Sequence, residues 1–117
     1  EILISDDDAE MRGYFEMALA ALGIDVRGID GAQPVTQFPQ VAFVDLLLAG
    51  GDSLPHVEAL LRAGSVVVIT TGLAADAPLL EQARALGARR VLHKPFSLSG
   101  LRDAARDAWS ASSSAQG

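Results

Sequence analysis

Short apolar runs of strand length alternate along this chain with stretches whose apolar residues recur at helical spacing, and that alternation admits few folds. It is the pattern of a parallel sheet covered by helices, because each strand must return through a crossover. Five strands are predicted, at Ile2 to Ser5, Val26 to Ile29, Val41 to Val44, Val66 to Thr70 and Arg90 to His93. Several are continuous apolar runs, as strands buried on both faces require. Met11, Phe15, Ala18 and Leu22 give a first helix one apolar face, ending at Gly23. Leu54, Val57 and Leu61 do so for a third helix. Leu79, Ala83 and Leu86 mark a fourth, capped by Asp76 with Pro78 in its first turn and closed by Gly87. Leu98, Leu101, Ala105 and Ala108 mark a fifth. Between Gly31 and Gln40 stand Pro34 and Pro39, leaving room for a stunted or irregular second helix only.

Composition narrows the class further. With 117 residues and half of them apolar, one packed core is expected, over residues 1–109. Residues 110–117 hold only Ser, Ala, Gln and Gly and are expected to form a flexible tail or linker. The longest apolar runs, such as Val66 to Ile69, fall far short of the roughly 18 residues of a membrane span. A soluble domain cut from a longer chain is expected. The absence of cysteine excludes disulfide staples, thiolate zinc sites and thiol catalysis, and suits a cytoplasmic location. Fifteen acids against nine bases, net −6, argue against a nucleic-acid surface, which needs clustered Lys and Arg. Lys94 is the single lysine.

Ligands of an open parallel sheet bind beyond the carboxyl ends of its strands, so the residues closing each strand carry the chemistry. The first strand closes on Asp6, Asp7 and Asp8, the third on Asp45, the fourth on Thr70 and Thr71, and the fifth on Lys94 followed by Pro95. Carboxylates about 4 Å apart repel by about 4 kcal/mol at an effective dielectric near 20, so such a nest calls for a cation. Oxygen donors with no imidazole or thiolate at hand suit Mg²⁺. A carboxylate beside that ion can act as a nucleophile toward phosphorus, with the lysine neutralising phosphoryl oxygens. Asp8 reads as a helix cap or rim residue.

Ile-Leu-Ile-Ser-Asp-Asp-Asp at 2 to 8, Val-Ala-Phe-Val-Asp at 41 to 45, Val-Val-Val-Ile-Thr at 66 to 70 and His-Lys-Pro-Phe at 93 to 96 stand in one order over nearly the whole length. Gly87-Ala88 lies seven residues before Lys94-Pro95. In these features the chain resembles the receiver domains of two-component response regulators, the CheY-like family. The resemblance implies a doubly wound five-stranded parallel α/β sheet of flavodoxin-like order 2-1-3-4-5. It implies Asp45 as phosphoacceptor, Asp7 as a direct Mg²⁺ ligand, Asp6 as the acid holding a metal-bound water, and the Leu47 backbone carbonyl as a further ligand. Lys94 becomes the phosphoryl partner and Thr70, or Thr71, the switch hydroxyl. The implied partners are a sensor histidine kinase or phosphotransfer protein and a downstream effector. A homodimer through the last two helices is compatible with the sequence, while direct nucleic-acid binding and membrane insertion are not expected.

Several positions depart from the family pattern. Ala49, Gly50 and Gly51 stand where many receivers carry a proline, so a mobile loop is expected. Val91 occupies the place of the signalling aromatic, three residues before Lys94. The segment from Asp7 to Asp45 is shorter than usual, and that after Gly72 is longer, which divides the hydroxyl role between Thr70 and Thr71. The runner-up is accordingly a pseudo-receiver, a phosphorylation-independent interaction module; against it stands the joint presence of Asp6, Asp7, Asp45 and Lys94. A haloacid-dehalogenase-like phosphatase would use Asp6 as nucleophile, but Ala9 and Glu10 stand where it needs a hydroxyl or β-branched side chain, and its cap does not fit. His56 and His93 are expected to be solvated, and Trp109 to be packing.

Overall fold

The computed structural model describes residues 1–31, 37–48 and 51–116. Five parallel strands form the main sheet: β1 (Ile2–Ser5), β2 (Val26–Ile29), β3 (Val41–Asp45), β6 (Val66–Thr71) and β7 (Arg90–His93), in spatial order β2-β1-β3-β6-β7. Numbered among themselves, these strands run 2-1-3-4-5, the expected order. The switch falls between β1 and β3, which leave the sheet toward helices on opposite faces.

Four α-helices lie among the described residues: α1 (Ala9–Ala20), α2 (Leu54–Arg62), α3 (Pro78–Leu86) and α4 (Leu98–Gln116). The continuous apolar strands divide their side chains by the two-residue pleat. Ile2, Ile4, Val41, Phe43, Val68 and Leu92 meet Phe15, Ala18 and Leu19 of α1 and Leu101, Ala105 and Ala108 of α4. Leu3, Ala42, Val44, Val67 and Ile69 meet Val57 and Leu60 of α2 and Leu80 and Ala83 of α3. Phe15 and Phe43, both fully buried, meet at a tilt with ring centroids 5.2 Å apart. Burial of such a ring stabilises by about 1.5–3 kcal/mol, so this face is firmly anchored.

The helix ends correct two details. Asp8 does cap α1, accepting from the Glu10 amide at 2.9 Å. Asp76 does not cap α3: Ala77 holds that place without a side-chain bond, and Pro78 begins the helix instead. Gly87 closes α3 at φ +117°, where a side chain would be strained. The flexible tail expected from Ser110 is replaced by helix, since α4 runs to Gln116 with Ser112 buried and its hydroxyl donating to the Trp109 carbonyl at 2.7 Å. Adding residues to a helix already nucleated needs little burial of its own.

After β3 the chain makes an excursion that the sequence did not suggest. β4 (Leu47–Leu48) and β5 (Gly51–Asp52) pair antiparallel, Leu47 opposite Asp52. Ser53 closes its base, its amide donating to the Leu46 carbonyl at 3.0 Å and its hydroxyl to the Asp45 carbonyl at 2.6 Å. Ala49 and Gly50, on which the expected loop mobility rests, lie outside the described residues, as do residues 32–36, where the stunted second helix was expected. No described helix is long and apolar enough to cross a membrane.

Candidate functional site

Partners in register on a parallel sheet share a face, and the phase fixed by the core extends to the strand ends. Asp6 follows Ile4 by two residues, Asp45 follows Phe43, Thr70 follows Val68, and Lys94 follows Leu92. All four core residues belong to the α1/α4 side. The register pairs Asp45 with Thr70 and Thr70 with Leu92. Thr70 thus sits on the same face as the acids. Thr71 has the phase of Val67 and Ile69 on the opposite face, beside His93, and its hydroxyl accepts from the Leu73 amide at 3.0 Å.

Lys94 Nζ lies between two buried carboxylates, 3.2 Å from Asp6 Oδ2 and 3.2 Å from Asp45 Oδ2. The second oxygen of each acid is also held: Asp6 Oδ1 accepts from the Asp8 amide at 2.9 Å, and Asp45 Oδ1 from the Leu47 amide at 3.3 Å. Asp7 is exposed beside them, and Asp6, Asp7 and Asp45 each offer a carboxylate oxygen within 4.8 Å of the others. Leu47, at the start of the hairpin, keeps its side chain 46% exposed next to Asp45.

Burial pushes the Asp45 carboxyl above the ordinary aspartate range; the Lys94 charge pulls it back, and the neighbouring Asp6 charge adds to the rise. For Lys94, burial works against the charged amine, but Asp45 and Asp6 together outweigh it and hold its pKa above that of a free lysine. One ammonium therefore serves two buried carboxylates, with the Asp7 carboxylate close beside them. Further positive charge is favoured there, and an all-oxygen donor set without histidine or cysteine fits a hard divalent cation of the Mg²⁺ type.

The expected residues Asp6, Asp7, Asp45, Thr70 and Lys94 are brought together, and Thr71 is not. Two neighbours escaped the sequence reading. Ser53 ties its helix start to the Asp45 backbone, and Arg12, one turn into α1, donates from Nη1 to the Asp6 carbonyl at 2.6 Å. A base so early in a helix opposes the helix dipole, and that local misfit was the available signal. Val91 packs on the α2/α3 face; the aromatic nearest in sequence to Lys94 is Phe96, tilted against Tyr14 and edge-on to Phe15 with centroids at 6.2 Å and 5.6 Å.

Comparison with known proteins places the fold. No protein-family model matches the sequence, and no curated protein does. Among solved structures, the CheY-like response regulator receiver domain protein from Methanospirillum hungatei JF-1 superposes with TM-score 0.84 at 21% identity, over 97% of this chain and 95% of that one. NtrX from Brucella abortus gives TM-score 0.84 at 24% identity, over 98% of this chain. A Francisella response regulator 1452 receiver domain gives 0.77 at 21% identity, over 93% of this chain and 95% of that one. The chain has the response regulator receiver fold. It spans 28% of the length of NtrX.

Proposed function

We propose that the chain is a phosphoacceptor switch of two-component signalling, in which Asp45 takes a phosphoryl group from a kinase phosphohistidine. The observation that carries this reading is the convergence of Asp6, Asp7 and Asp45 around a single lysine at the carboxyl edge of a receiver-fold sheet. An oxygen of Asp45 attacks phosphorus as the phosphorus–nitrogen bond of the donor breaks, and the leaving imidazole nitrogen takes up a proton. Lys94 is placed to neutralise a phosphoryl oxygen, and the Leu47 amide to orient the carboxylate that attacks. Mg²⁺ held by Asp6, Asp7, Asp45 and the Leu47 carbonyl would supply the remaining positive charge that lets an anionic donor approach the acids. Thr70, on the face of Asp45, is the hydroxyl positioned to meet the new phosphoryl group. The protein in this reading is a signalling component of the cytoplasm that promotes its own phosphorylation and slow hydrolysis, with a histidine kinase upstream and an effector downstream.

Incubation with acetyl phosphate and Mg²⁺ followed by intact mass measurement tests it. One added phosphoryl group is expected, absent from Asp45→Asn and absent without metal. An unlabelled native protein beside a labelled control receiver rejects the phosphoacceptor reading and leaves a phosphorylation-independent interaction module.

A further inference from the structure

The peptide joining Asp6 to Asp7 lies between two of the three acids that converge, so the orientation of that one plane sets where both carboxylates stand. Its carbonyl is pinned by the charge-assisted, 2.6 Å bond from Arg12. The stem of Arg12 is in turn confined. It lies over Gly28, the β2 residue paired with Ile4, and a Cβ built at Gly28 would meet Arg12 Cδ at 3.2 Å, closer than nearly all such contacts. The first turn of α1 completes the clamp, the Arg12 amide donating to the Asp8 carbonyl at 3.0 Å. We infer that Arg12 is a positioning residue for the metal site, holding the Asp6–Asp7 peptide while its stem crosses β2 close over Gly28.

This rests on the reading of the three acids as a Mg²⁺ site. Two effects of Arg12 on a bound cation oppose each other. Its charge repels the ion, but across a partly solvated gap that repulsion is weakened. Its bond removes the freedom of the peptide that carries both acids, and supporting contacts of this kind change metal affinity by about 10- to 100-fold. Positioning therefore outweighs repulsion.

Mg²⁺ affinity is measured calorimetrically on the folded protein, well below its melting temperature, for the native chain, Arg12→Met, Arg12→Lys, Gly28→Val and the double variant Gly28→Val with Arg12→Met. Methionine keeps the apolar stem and loses the bond, and affinity is expected to fall about tenfold. Lysine keeps a donor and recovers part of the loss. Valine at 28 displaces the stem and weakens binding in the native background, but adds nothing once Arg12 is Met. A purely structural Arg12 would lower the melting temperature of Arg12→Met and leave Mg²⁺ affinity unchanged, which overturns the inference; so does tighter binding, which would mean that repulsion wins. A native protein without Mg²⁺ affinity overturns the metal reading itself, and this inference with it.

Discussion

Ser5 ends β1 fully buried with a hydroxyl that has no hydrogen-bond partner among the described residues, one residue before the first of the clustered acids. A buried polar atom left unsatisfied costs about 1–3 kcal/mol, so Ser5→Ala is expected to raise unfolding stability by about 1 kcal/mol in a denaturant titration. A loss of stability would show that the hydroxyl is satisfied. Asp45 carries a charge cost of its own. Burial raises its folded pKa above the unfolded value, so the stabilising contribution of the group is complete below the ordinary aspartate range and is lost as pH rises through the folded value. Asp45→Asn should therefore melt higher than native protein in metal-free buffer at about pH 7, with the advantage shrinking toward about pH 3. An equal advantage at both values would rule out ionisation as its source. Asp6, Asp45 and Lys94 were legible in the sequence because each closes an apolar strand. Thr70 and Thr71 could not be separated there, since an all-apolar strand has no visible phase; the register against Asp45 and Leu92 supplies it. Arg12 acts through a carbonyl six residues back, and no side-chain motif records a bond to the backbone.

Helices and turns show where local rules suffice. Gly87 holds a left-handed backbone at the end of α3, and Gly87→Ala is expected to cost about 1 kcal/mol of stability. Arg89 grips Asp107 with two bonds, 3.2 Å and 3.1 Å, fastening the approach to β7 onto α4. That hydrogen bond lowers the Asp107 pKa, so the pair's contribution is present above the ordinary aspartate range and fades as pH falls through the lowered value. Both groups are exposed, and Asp107→Asn is expected to matter little in high salt. On α3 the buried leucine is Leu80 and Leu86, expected inward, is exposed, whereas Pro78, Gly87 and the inner face of α4 followed from spacing and punctuation alone. The extension of α4 through residues 110–116 did not, because composition judges a segment by itself, whereas these residues grow from a helix whose inner face is packed already. The β4/β5 hairpin was hidden for another reason: two-residue strands have no periodicity to detect.

At the scale of the molecule, a parallel sheet was foreseeable from short strands with helical returns, and its order from the resemblance to receiver domains. The same sheet makes ligand and fold interdependent. A cation that binds the three acids only when they converge stabilises the native state by about 2.7 kcal/mol at roughly 100 times its dissociation constant, so Mg²⁺ is expected to raise the melting temperature of the native chain and not of Asp7→Asn. An equal rise in both would place the ion elsewhere. Lys94 reaches Asp45 across 49 positions of sequence and Asp6 across 88. A chain still emerging from the ribosome holds its carboxylates long before their counter-charge has been translated. On the proposed phosphoacceptor reading, truncated or half-made molecules lack the lysine that the reaction uses, and a phosphoryl label would count only copies completed through β7 and closed upon it.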